Sequence, residues 1–148
     1  MRVLKFKDSV EKFHKGEIVL RPRYATGSDG LYLLVEDIPL NAIQVKVFFI
    51  GTISHREIDR SKFASLVFNT KDKKATYIRT NYDGYLSFRK LKQDEKELIF
   101  DALTDNKYYN PDYYLGIVKN ATGLDIRKLY KKEYDEYILK KDINKYNL

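Results

Sequence analysis

Near Gln93 the spacing of apolar residues changes from every second position to every third or fourth, which divides the chain into a β-forming and an α-forming part. Downstream, residues 93–104 (QDEKELIFDALT) carry acids in the first turn and align Leu98, Ile99, Ala102 and Leu103 on one stripe. That is the pattern of an amphipathic helix with a favourable macrodipole. Asn110-Pro111-Asp112 supplies an N-cap, a proline at N1 and an acid at N2 for a second helix, which Gly123 ends. Residues 125–141 form the longest helical stretch, with Ile126, Leu129, Tyr130, Tyr134, Tyr137 and Ile138 in one arc; the tail from Asp142 is expected to fray. Strands followed by helices predict an α+β fold in one domain, residues 1–148. Residues 1–92 are expected to be mainly β, an antiparallel, strongly curved or partly closed, small-barrel-like sheet of about five to seven strands, and residues 93–148 to hold two or three C-terminal helices.

The β-forming part opens with a short strand at residues 2–6 and a short helix at 8–15, whose Val10 and Phe13 face inward and which Gly16 ends. Residues 17–24 read as an edge strand, because Pro22 cannot donate to a ladder. After a turn at 25–30 comes a short apolar strand at 31–36, and then the strongest strand, 42–53. Its alternation places Ile43, Val45, Val47 and Phe49 on one face and a mixed set, Ala42, Gln44, Lys46, Phe48 and Ile50, on the other, as expected of a central strand. The polar run SHREIDRSK reads as a connection. Three strands in a meander follow, at 64–69, 75–80 and 85–91, the last two joined by a tight turn at Asp83-Gly84.

Charge falls unevenly on this plan. Residues 60–92 hold nine Lys or Arg against two Asp, a local excess equal to the net +7 of the whole chain. A basic patch of this kind suits a polyanion or an acidic partner. Strand alternation turns Ile78, Leu86 and Phe88 inward and Tyr77, Arg79, Tyr85, Ser87 and Arg89 outward, so that rings and guanidinium groups interleave; Lys71, Lys73, Lys74 and Lys90 extend the track. Single-stranded nucleic acid asks for this combination, since bases stack on rings while cations neutralise phosphates. The same alternation also fits a half-solvated sheet held by cross-strand pairs. The cluster Tyr108, Tyr109, Tyr113 and Tyr114 fits an interface, and better a cap on the core at a helix junction. The cations of the last helix, Arg127, Lys128, Lys131 and Lys132, are diluted by Glu133, Asp135 and Glu136 and read as a solvated face.

Several chemistries have no residues to carry them. The chain has no cysteine, so disulfides, thiolate nucleophiles and cysteine zinc sites are excluded. His14 and His55 lie in no metal-ligand spacing, and no phosphate-binding glycine motif occurs; neither a metal nor a cofactor is expected. One catalytic alternative stands, a metal-independent ribonuclease using His55, Thr52 and Arg56 at a strand end. No apolar run is long enough for a membrane span, and the N-terminus lacks the apolar core of a secretory signal, so a cytoplasmic site of action is expected.

Within residues 15–54, Gly16, Glu17, Ile18 and Val19 open a strand, Gly27, Ser28 and Asp29 form a loop, Val35, Glu36 and Asp37 close an apolar strand, and a long strand ends in Thr52, Ile53 and Ser54. This order is similar to the small barrel of MazF/PemK-type endoribonuclease toxins. The resemblance implies a small barrel and a catalytic role for Thr52, since that family places a Thr or Ser there; the family's loop arginine has no counterpart before Leu31. The leading expectation is a non-enzymatic binding protein acting on RNA, single-stranded DNA or a nucleoprotein complex. In general character it resembles phage-encoded inhibitors of bacterial defence, including anti-CRISPR proteins, which act in the host cytoplasm. The remaining alternative is an assembly protein that meets an acidic partner.

Overall fold

The computed structural model describes residues 13–22, 28–38, 42–79, 88–104 and 110–146. Six strands form one antiparallel, curled and unclosed sheet: β1 (Ile18–Arg21), β2 (Asp29–Leu34), β3 (Gln44–Ile58), β4 (Ser61–Phe68), β5 (Thr76–Arg79) and β6 (Arg89–Lys90). Helices α1 (Gln93–Thr104), α2 (Pro111–Thr122), α3 (Ile126–Leu129) and α4 (Lys131–Tyr146) follow. The α+β class, the curled sheet and the strands-then-helices order are therefore as the change of period predicts. Among the described residues no helix is long and apolar enough to cross a membrane.

Both faces of the sheet are apolar, and alternation sorts the residues between them. Ile18, Leu20, Leu31, Leu33, Phe48, Ile50, Ile53, Leu66 and Phe68 face the helices, where Ile99, Leu103, Tyr114, Val118 and Ile126 meet them. Val19, Tyr32, Leu34, Val45, Val47 and Phe88 fill the opposite side, with Phe13, Ile38, Phe49 and Ile78 packed around them. The inward assignment of Ile78 and Phe88 holds. Ile43, expected beside Val45, is instead 80% exposed, because β3 begins only at Gln44. Phe48 and Ile50, on the face that reads as mixed, are fully buried under the helices.

The strand order is β4-β3-β2-β1-β6, with β5 also pairing β3. This corrects the expected meander. Both β4 and β5 lie antiparallel on the same edge of β3: Phe68 opposes Gly51, and after an excursion at 69–75 Thr76 opposes Val47. Strand β1 is not an edge, since Val19 and Leu20 pair with β6 as well as β2; Pro22 merely stops it after Arg21. The run SHREIDRSK is no loop. It continues β3 to Ile58 and turns through Asp59 and Arg60, both with positive φ (50° and 67°), into β4, as a two-residue type I′ hairpin requires. The single helix expected at 125–141 is split at Tyr130, whose φ of −111° and ψ of 24° interrupt it, and helix persists to Tyr146 rather than fraying from Asp142. The expected strand at 2–6, most of the helix at 8–15, the Asp83-Gly84 turn, Tyr85, Leu86, Ser87, Tyr108 and Tyr109 lie outside the described residues.

A bulge organises the switch from β4 to β5. Leu31 opposes Gly51 and Tyr32 opposes Phe49, leaving Ile50 unopposed on β2. The carbonyl of Ile50 accepts the backbone N–H of Asn69 (2.7 Å) and the phenol of Tyr114 (2.9 Å), while the Asn69 side chain donates to the Phe49 carbonyl (3.2 Å). Tyr114 is 2% exposed and stacks on Phe68 at 4.2 Å, and its burial raises the phenol's pKa far above the usual tyrosine range, so the hydroxyl stays a donor. Tyr114→Phe keeps the ring and leaves Ile50 its bond from Asn69, so urea denaturation should show a loss of about 1 kcal/mol. A loss near that of ring truncation, about 3–5 kcal/mol, would show that the hydroxyl itself holds the bulge.

Candidate functional site

The excursion between β4 and β5 presents the basic residues. Asn69 fixes its start: the side-chain oxygen accepts the Lys71 N–H (3.1 Å), and the side-chain nitrogen donates to Asp72 (2.8 Å). Lys71, Lys73 and Lys74 are exposed, and Lys73 stands over the ring of Tyr113, 5.6 Å from its centroid. Tyr113 is in the first turn of α2, which Asn110 caps by accepting the Tyr113 N–H, and its ring is 60% exposed while Tyr114 beside it enters the core. The tyrosine cluster is thus divided: Tyr114 is structural, and Tyr113 is on the surface.

Strand β5 extends the same surface. Tyr77 opposes Lys46 and Arg79 opposes Gln44, on the face of β3 that carries Phe48 and Ile50 and therefore on the side of the helices. Tyr77 is 53% exposed, Arg79 is exposed, and Lys46 reaches over the Tyr77 ring at 5.9 Å. Each exposed tyrosine is accordingly steadied by a lysine, a contact of about 0.5–1 kcal/mol at such positions. Lys46, Lys71, Lys73, Lys74 and Arg79 make no ion pair with any described carboxylate. Lys46 and Tyr113 are the residues that sequence reasoning left out of the site. Lys46 becomes visible only once β5 is known to pair with β3.

Arg89 and Lys90, expected beside Tyr77 and Arg79, do not join them. They belong to β6, at the far end of the strand order, across β3, β2 and β1 from β5. Both terminal guanidinium nitrogens of Arg89, Nη1 and Nη2, donate to Glu95 of α1 at 2.7 Å, and Glu95, only 4% exposed, also accepts the Lys92 N–H at 2.8 Å. Burial opposes the charge of Glu95, but the bonds from Arg89 and Lys92 outweigh it and hold its pKa below the usual glutamate value. Lys90 pairs with Glu17 and covers the ring of Phe13 at 4.6 Å. These charges hold β6 to α1 and to β1. Tyr85 lies outside the described residues.

The ribonuclease constellation is not assembled. Thr52 and His55 are three positions apart on continuous β3, so alternation sends them to opposite faces. Thr52 lines a groove of about 270 Å³ with Phe49, Val67, Asn69, Thr70 and Lys71, whereas His55 is exposed, its Nε2 3.8 Å from Asp29. Arg56 continues the strand opposite Phe63. Among the described residues no group of three or more His, Asp or Glu is placed to hold a metal ion. On the last helices Arg127 pairs with Asp112, Lys131 with Asp135 and Lys141 with Asp101, in keeping with a solvated face. Their tyrosines, Tyr130, Tyr134 and Tyr137, surround Phe100 of α1.

No protein-family model matches the chain, and no significantly similar curated protein or solved structure was found. The likeness to the toxin barrel rests on the quoted residues alone.

Proposed function

We propose that the protein is a non-enzymatic binding protein for single-stranded nucleic acid, either free or held in a nucleoprotein complex, and that the surface from Lys71 to Arg79 with Lys46 and Tyr113 is its binding face. One observation carries this reading: two exposed tyrosine rings, each beside a lysine, lie with Arg79 on the helix side of the sheet, and no described carboxylate pairs with these cations. Bases can stack on Tyr77 and Tyr113 while Lys46, Lys71, Lys73, Lys74 and Arg79 meet phosphates. The chemistry is occupancy of a strand. Occupying a guide or target strand in this way would suit an inhibitor of a nucleic-acid-guided bacterial defence system such as CRISPR-Cas, acting in the host cytoplasm.

Fluorescence anisotropy with labelled single-stranded RNA, single-stranded DNA and duplex tests the proposal. Affinity for the single strands should exceed that for the duplex and fall steeply with added salt. Tyr77→Ala should weaken single-strand binding about tenfold, from the loss of one stacked base, and Lys73→Ala should reduce the salt slope by about one. No binding at low salt to any of the three would reject the proposal.

A further inference from the structure

Strand β4 ends the strand order of the sheet among the described residues, with one edge on β3 and the other facing outward. A two-residue turn makes Ile58 and Ser61 a hydrogen-bonded pair, so bonded pairs recur at Arg56 with Phe63, Ser54 with Ser65 and Thr52 with Val67. The next step of this series is Ile50 with Asn69, and the Asn69 N–H does donate to the Ile50 carbonyl at 2.7 Å. The N–H and C=O groups of Ala64 and Leu66 therefore point away from β3. No strand lies beyond β4, and no hydrogen bond reaches these groups among the described residues. Natural edges are protected by charge, proline, bulges or brevity. This one has none of these between Phe63 and Asn69: the run FASLVFN is uncharged, β4 has eight residues, and its register with β3 is unbroken.

We infer that this edge joins a second copy of the chain, β4 against β4 in antiparallel register about a two-fold axis at Ser65. In that register Ala64 of one copy opposes Leu66 of the other, and each pair exchanges both backbone bonds. Lys62 of one copy then opposes Phe68 of the other, so no like charges face each other across the seam. The choice of a second copy follows from charge. In a chain of net +7, an uncharged run is where two copies meet with least repulsion, whereas an acidic or nucleic-acid partner would be drawn to the basic track instead. The inference does not depend on the proposed binding function.

Sedimentation equilibrium of the full chain tests it. The mass should rise reversibly with concentration from 17.5 kDa toward twice that value. Ser65 is exposed and its backbone bonds face β3, so Ser65→Lys and Ser65→Glu should fold. Each should remain monomeric, because like charges would meet at the axis, and an equimolar mixture of the two should regain the dimer. Ala64→Pro removes an outward donor and should also be monomeric, with unchanged circular dichroism. A wild type that stays monomeric throughout, a dimer untouched by Ser65→Lys, or a mixture that fails to reassociate would overturn the inference. A strand supplied by a different protein in place of the second copy would appear as the first of these results.

Discussion

Gly51→Ala is expected to destabilise the fold by about 3 kcal/mol, a fall in Tm of roughly 6–12 °C for a chain of this length. A Cβ at position 51 would overlap the carbonyl oxygen of Val67 and lie 3.0 Å from the Cα of Phe68. Both are backbone atoms of the paired strand, so no side-chain rotation relieves the clash. Relief requires β3 and β4 to separate where the Ile50 bulge, the Asn69 bonds and the Tyr114 phenol converge. The substitution should therefore also disturb the excursion that carries Lys71 and Lys73. Thermal unfolding reads the first effect. A variant within about 1 kcal/mol of wild type would mean that the strands yield at this point more easily than a paired backbone should.

Arg89→Met should cost about 3 kcal/mol at neutral pH, because it leaves the buried carboxylate of Glu95 with only the Lys92 N–H. This loss is at the low end for a broken buried pair, since Arg89 is one-third exposed and solvent screens part of the interaction. The pH dependence has a definite sign. In the wild type the folded pKa of Glu95 is lowered, so its contribution is complete above the ordinary value of 4.5 and is lost as pH falls below it. In Arg89→Met burial acts without its counterweight and the folded pKa rises. Acidification should then narrow the gap between variant and wild type, as Glu95 takes up a proton. Urea titrations at neutral pH and near pH 4.5 check this; a gap that widens on acidification would refute it. Replacing both partners, Arg89→Met with Glu95→Leu, should recover much of the loss.

What could be read in the sequence follows the strength of local signals. The Asn110-Pro111-Asp112 start and the Gly123 stop of α2 are complete capping signals, and the structure places Asn110 as N-cap and Gly123 at φ 75°. The β3–β4 hairpin is not legible locally, because its turn uses Asp59 and Arg60 at positive φ without a glycine and its flanks lack apolar alternation. The proposed binding face is only half legible. Alternation turns Tyr77 and Arg79 outward, and both are exposed, but the partner of a strand is a long-range fact that no spacing states. For that reason spacing alone omits Lys46 and groups Arg89, on the same face of the sheet but at its other edge, with Arg79. A glutamate three residues after Lys92 reads as a complement to the helix dipole; nothing local reveals that it is buried against an arginine.

The fold puts the two arginines at opposite ends of the sheet. Arg79 is an exposed cation at the β3–β5 edge, and Arg89 is a structural cation locked to Glu95. Titration of one labelled single-stranded RNA with wild type, Arg79→Ala and Arg89→Met, below the melting temperature of all three, separates these roles. Arg79→Ala should lose about five- to tenfold in affinity with Tm unchanged, while Arg89→Met should lose Tm with affinity retained. Affinity lost with Arg89 and kept without Arg79 would contradict it.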